Sequence, residues 1–226
     1  AVSAKYLEEE LLTSVLLAFV LVRMEVLYMG ETVQQMLDRI MPAILTGNRE
    51  ELAKIRRTDD EVDILYEQII EYLGRISKRS LSDQQTDELL RLMEAVGDLE
   101  NIGDTIETNM VTLGYDRINE GVSISEPTRK VLGDFQKAVA HATQTAIQAV
   151  AQNNAAAAQV VIGMKDDITK LANSAAVHQA ARLVAEEPNR IPAYTIEIDI
   201  IEKQKRIYYF AKRMAKTVMA PEAIEE

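Results

Sequence analysis

Apolar residues recur three and four positions apart along nearly the whole chain. Leu37, Ile40, Met41 and Ile44 make one such run, and Leu89, Leu92, Met93 and Val96 make another. This is the spacing of an amphipathic helix with one buried face. The alternation expected of strands is almost absent, so the pattern predicts an all-α fold.

Polar and helix-breaking residues divide the pattern into about six helices. The first is expected from about Leu7 to Leu45, stopped by Gly47. Asn48 can cap the second, with Glu51 as its reciprocal partner, and that helix continues to about Ser77. Ser82 and Gln85 form the same kind of box for the third, which is expected to fade at Gly114. A polar loop, YDRINEGVSIS, leads to a fourth helix at about Pro127, where proline suits the first turn. Asn153 and Asn154 separate it from an alanine-rich fifth. Pro188 and Pro192 separate the fifth from a sixth, which ends before Pro221.

Three helices are thus followed by three of similar length and order, the signature of an internal duplication. Placing Val62 over Ile168 gives an offset of 106 residues, and placing LENIGD over IEKQKR gives 102. The expected architecture is a six-helix bundle of two pseudo-repeated three-helix units, 1–120 and 121–226, with antiparallel neighbours.

With 47% hydrophobic residues in 226, the chain can bury a substantial core. There is no cysteine, which excludes disulfides, thiolate metal sites and cysteine nucleophiles and fits a reducing compartment. The net charge of −11 argues against nucleic-acid binding. Its distribution is uneven. Residues 1–120 carry 24 acidic and 12 basic side chains, whereas 121–226 carry 12 and 13.

The longest apolar stretch, Leu11 to Val22, has twelve uncharged residues, against about 20 needed to span a bilayer. Glu8, Glu9 and Glu10 precede it where a secretion signal would be basic. The stretch is therefore expected to pack in the core, on a membrane portion or on a second copy. The chain opens at Ala1 without methionine, which is expected of an excised piece of something longer.

The excess acid is concentrated in two places. Side chains four apart share a helix face, so Asp59 aligns with Asp63, and Glu100 with Asp104, with Glu107 one turn on. If the second and third helices oppose these faces, four like charges converge, and a cation or protons must neutralise them. Gly97 and Gly103, each costing roughly 1 kcal/mol against alanine in a helix, would let the backbones approach and leave space beside the carboxylates. An oxygen-only shell favours magnesium, calcium, manganese or iron; zinc would be in an unusual shell. The alternative is plainer. Thr58 and Glu61 could form a capping box, leaving Asp59, Asp60 and Asp63 to decorate a helix start and the remaining acids to form a solvated face.

At DDEVD and DLENIGD the sequence resembles the PhoU family of phosphate-transport regulators, and DLENIGD is close to that family's DLERIGD form. The resemblance implies one PhoU-like domain over 1–226, without catalytic activity, holding a metal ion or small cluster (iron, zinc, manganese, magnesium or calcium). It implies Asp59, Asp63, Glu100 and Asp104 as ligands, with Asp60 and Glu107 as outer ones. The second unit departs from the pattern. Lys165 and Thr169 stand where Asp59 and Asp63 do, Glu202 is kept, and Arg206 replaces Asp104. One metal site is therefore expected, with an internal salt-bridge arrangement in place of a second.

The opening KYLEEELL and the long first helix look similar to the PhoU-like domain at the C-terminal end of sodium/phosphate cotransporter family proteins. That resemblance implies a cytoplasmic domain at the inner face of the membrane. Its partners would be the transmembrane portion of the same protein or a phosphate transporter, with a second copy in a homodimer as a further one. A metal-free adaptor or dimerisation domain is the alternative. A ferritin-like oxidase would need Glu-x-x-His pairs, which neither His141 nor His178 supplies. The basic run Lys203, Lys205, Arg206, Lys212, Arg213 and Lys216 could touch anionic lipid, or could be solvated surface.

Overall fold

The structure is a computed structural model that describes residues 1–8, 14–184 and 189–220, and every regular element among them is helical. The helices are α1 (Val15–Thr46), α2 (Arg49–Ser77), α3 (Asp83–Asp104), α4 (Val111–Asn119), α5 (Glu126–Gln152), α6 (Ala155–Gly163), α7 (Lys165–Leu183) and α8 (Arg190–Lys216). A π-helical segment, Thr105–Met110, carries α3 into α4, and α6 meets α7 at Met164. The described chain therefore makes six rods.

Local chemistry sets most boundaries where the sequence pattern places them. Gly47 closes α1 in the left-handed region (φ 68°), which a residue with a Cβ adopts at a cost. Asn48 Oδ1 accepts from Glu51 N (3.0 Å), and Ser82 with Gln85 forms the full reciprocal box. Asn153 ends α5, and Asn154 caps α6.

Three boundaries differ from expectation. The first helix begins at Val15, not near Leu7, because residues 5 and 6 bond elsewhere. Lys5 N and Tyr6 N donate to the carboxylate of fully buried Glu25 (2.8 to 3.1 Å), which pins this segment to α1 as a bend. The third rod does not fade at Gly114 but runs to Asn119. Leu52 lies 2.8 Å from where a Gly114 Cβ would be, so that glycine serves close packing rather than termination. Pro192 lies inside the first turn of α8, where a missing N–H removes no helical bond. Glu9, Glu10, the start of the apolar stretch at 11–13, Pro188 and Pro221 lie outside the described residues.

In the first three rods α1 packs on α2, and α2 on α3; in the last three, α5 packs on α6 and α8, and α7 on α8. The two sets meet along α1 with α5 and α3 with α8. Gly30 permits the first of these contacts, since a Cβ there would sit 2.4 Å from Ile147 Cγ2. The expected stripes are the core: Leu37, Ile40, Met41, Ile44, Leu89, Leu92 and Val96 are buried. Gln136 and Gln204 lie buried among them, with Gln136 Nε2 donating to Leu37 O (2.6 Å) and Gln204 Nε2 to Gln136 Oε1 (3.0 Å), which ties α1, α5 and α8 together.

The apolar stretch divides between two environments. Ala18, Phe19 and Val22 are core, but Leu16, Leu17 and Val20 are about half or more exposed, as are Met24 and Leu27 to a smaller degree. No described helix is long and apolar enough to cross a membrane.

Candidate metal centre

The face of α2 that carries Asp59 packs against the C-terminal end of α3, where Gly103 removes the side chain that would block it. A Cβ on Gly103 would lie 3.0 Å from Asp59 Oδ1 and 3.4 Å from Val62 Cγ1. Asp59 is only 6% exposed, and its Oδ1 has no hydrogen-bond partner. An unpaired carboxylate oxygen at such depth costs free energy on the order of 1–3 kcal/mol or more. Gly97 has no such role, because nothing lies within 4 Å of where its Cβ would be.

Around the Asp59 carboxylate the structure gathers acid. One carboxylate oxygen each from Asp59, Asp104 and Glu107 lie within 4.8 Å of one another. Burial first, then the charges of Asp63, Glu107, Asp104 and Glu100, push the Asp59 carboxyl up to about 7. Asp63 and Glu100 stand at the margin of this triad. Both are raised, by burial and then by neighbouring acids, Asp104 foremost. Asp60 is exposed.

Thr58 lies well inside α2, and its hydroxyl donates to Lys54 O (2.9 Å). It does not cap a helix, so DDEVD is not the decoration of a helix start.

Glu107 is positioned by the π segment. There the backbone closes five residues back, Val111 N–H to Ile106 O, in place of the usual four. The Thr108 hydroxyl reaches Glu107 and also donates to Asp104 Oδ1 (3.1 Å). On its outer side Glu107 Oε1 lies 3.6 Å from Arg56 Nε, whose guanidinium covers the Tyr115 ring at 5.4 Å. Helical spacing already sets Glu107 one turn beyond Asp104; that it, and not Asp63 or Glu100, completes the triad with Asp59 is seen only in the fold.

Asp98, beside the glycines in sequence, faces the opposite way, towards α8. It is 2% exposed, and its Oδ2 lies 3.4 Å from Arg213 Nε. Burial pushes its carboxyl up to about 6, against the lowering effect of Arg213.

At the corresponding positions of the second unit, Lys165 and Thr169 are exposed. Glu202 pairs with Lys205 (3.3 Å) on the surface, and Arg206 lies over the Phe210 ring at 5.7 Å. The internal salt-bridge arrangement expected here is not what the described residues form, because these side chains point outward. Of the basic run, Arg213 serves Asp98 and Glu94, and Lys212 is partly buried beside Lys216 and Lys165. His178 Nε2 lies 3.1 Å from Thr128 Oγ1, and His141 is exposed; neither joins the acids.

A hard cation fits this site. Its donors are oxygen only, Asp59 is buried with one oxygen unpartnered, and Gly103 lets α3 approach that carboxylate closely.

A helical bundle of two three-helix units with a carboxylate cluster between the second and third rods defines the class. The PhoU domain family model matches residues 26–110, the stretch that holds all these acids. The whole fold agrees. PhoU from Pseudomonas aeruginosa superposes with a TM-score of 0.79 at 22% identity, covering 87% of this chain and 93% of that one. The phosphate transport system regulatory protein PhoU from Streptococcus pneumoniae superposes at 0.78 with 16% identity, covering 91% and 95%. Over 103 residues the chain is 31% identical to the candidate inorganic phosphate export protein YjbB of Salmonella typhimurium, which is 46% of this chain but 19% of that protein. The matched stretch is about a fifth of that relative's length.

Proposed function

We propose that this chain is a non-catalytic regulatory domain of a phosphate transport protein, held in its working shape by a metal ion or small cluster in the first unit. The observation that carries the metal is the buried Asp59 carboxylate, with Oδ1 unpartnered, gathered with Asp104 and Glu107. Asp59 and Asp104 would hold the ion, with Asp63 and Glu100 at the margin to complete or neutralise the shell. Bound there, a cation ties α2 to α3 and offsets the repulsion among the acids. The residues themselves do the remaining work: α2 and α3 set the outer surface of the first unit, and Asp98 with Arg213 links α3 to the second.

The phosphate context rests on the PhoU match and on the names of the relatives. In this reading 1–120 is the metal-bearing repeat and 121–226 the repeat that has lost the motif. The domain works on the cytoplasmic face of the membrane, against the transmembrane portion of the same longer protein or of a phosphate transporter of the sodium/phosphate cotransporter kind. The relative's name adds export as the direction to test. Regulation requires that the domain bind one transporter state better than another. Radiolabelled phosphate flux in cells carrying the intact gene, against cells carrying Asp59→Asn with Asp104→Asn, tests it. Altered flux with unchanged protein level supports the reading; identical flux removes the metal from regulation.

The half-exposed stripe Leu16, Leu17, Val20, Met24 and Leu27 on α1 favours a second reading, a docking or dimerisation adaptor. The two are compatible in one domain. They part on whether metal removal changes docking.

A further inference from the structure

The acid signature of the two helices does not include Glu107, yet the structure places its carboxylate in the triad with Asp59 and Asp104 and leaves Asp63 and Glu100 at the edge. We propose that Glu107, presented by the π segment, is a direct ligand of the first-unit metal, and that Arg56 is the counter-ion that holds its carboxylate when no metal is bound. The proposal rests on the metal reading above and adds to it one residue and one exchange.

Three observations converge. The first is depth: Asp59 is more than nine-tenths buried, unpartnered, and aimed at the point where α3 passes into the π segment. Whatever satisfies it must draw its other ligands from that passage, and Asp104 and Glu107 are the residues there. The second is backbone. In an unbroken α-helix the turn after Asp104 would continue the four-residue ladder; the π segment replaces it over Thr105–Met110. Wide turns of this kind are rare and occur often at functional sites. The third is the outer contact. Glu107 Oε1 and Arg56 Nε stand 3.6 Å apart, with side chains 25% and 45% exposed, a weak pairing that an inner cation can displace. Arg56 keeps a resting place over the Tyr115 ring when it lets go.

The exchange is a competition for one carboxylate. Without metal, Arg56 pairs with Glu107 at the triad and offsets its repulsion with Asp59 and Asp104. With metal, the ion takes over the Glu107 carboxylate and Arg56 is released from it. Arg56 therefore weakens metal binding while Glu107 strengthens it, so substitutions at the two residues act in opposite directions. Charge alone would also move the two in opposite directions, so direct ligation is read from a loss in Glu107→Gln that exceeds the loss in Glu100→Gln.

The test is titration with Mn2+ alone, with free ion followed by electron paramagnetic resonance, on chelator-treated unmodified protein, Glu107→Gln, Arg56→Gln and Glu100→Gln. Circular dichroism checks that each variant is folded. We expect one strong site in the unmodified protein, an affinity loss of about tenfold or more in Glu107→Gln, and a gain of a few fold in Arg56→Gln. For Glu100→Gln the expected loss is smaller than for Glu107→Gln. Binding by the unmodified protein that is unchanged in Glu107→Gln overturns the ligand role and leaves the metal reading standing. Weaker binding in Arg56→Gln overturns the exchange. No binding by the unmodified protein overturns the proposal and the metal reading together. Should Glu107→Gln fail to fold, Glu107→Asp, which keeps the charge and shortens the reach, takes its place with the same expected loss.

Discussion

Two aspartates on opposite sides of the α2/α3 layer are buried to nearly the same degree and have different fates. Asp98 faces α8 and finds Arg213; Asp59 faces α3 and finds Asp104, Glu107 and the edge acids Asp63 and Glu100. Burial raises both carboxyls, but every neighbouring charge that moves Asp59 raises it further, whereas Arg213 pulls Asp98 back. A buried acid with a cationic partner is a fastener between helices. Each aspartate has one buried oxygen without a hydrogen-bond partner, Asp59 Oδ1 and Asp98 Oδ2, but only Asp98 has a cation beside it; a buried acid among acids is completed by a proton or a cation.

The largest expected effect is on metal-free stability. The Asp59 carboxyl is raised in the fold from 3.8 to about 7, so the folded state holds its proton more tightly than the unfolded chain does. The stability this contributes is full below the unfolded value and is lost as pH rises to about 7. A rise of that size corresponds to about 4 kcal/mol as an upper bound. At pH 8, in chelator, Asp59→Asn should therefore raise the urea midpoint. Asp98→Asn should gain less, because its carboxyl is raised only to about 6 and the substitution gives up Arg213. With Mn2+ present the Asp59→Asn effect should change sign, and that of Asp98→Asn should not. If both reverse, or neither does, the distinction between the two aspartates fails.

A second effect concerns the gap. Gly103→Leu drives a side chain towards Asp59 and Val62, which should cost about 1–3 kcal/mol by overpacking and remove metal binding. Chemical denaturation with the Mn2+ titration reads both, and retained binding contradicts the role given to the gap. Gly97→Ala, the smallest effect, should stabilise by up to about 1 kcal/mol and leave binding unchanged, since its Cβ meets nothing within 4 Å. A destabilised Gly97→Ala would return to that glycine the role in close approach assigned to Gly103.

The periodicity that reveals the rods and the PhoU resemblance also reveals where acid would meet acid, because both depend on i, i+4 repetition. Asp59 and Asp104 are legible for that reason. Glu107 is legible as a carboxylate one turn beyond Asp104, but its place in the triad ahead of Asp63 and Glu100 is not, since that depends on how α3 lies against α2. Nor is the division of labour between Gly97 and Gly103, six residues apart on one helix. Which of them meets a neighbour depends on how α3 lies against α2, a tertiary quantity. The late start of α1 has the same origin: the partner of Lys5 and Tyr6 is Glu25, brought close only by the fold.

The central claim is that the first-unit acids hold a metal that ties α2 to α3. Elemental analysis of protein purified without chelator, with the melting temperature taken before and after EDTA, tests it most directly. The account predicts about one or more equivalents of metal, lost on EDTA treatment together with a fall in melting temperature that is restored on reloading. No bound metal, and no shift when iron, manganese, zinc, magnesium or calcium is added, would contradict it and leave a protonated or solvated acid face on an adaptor domain.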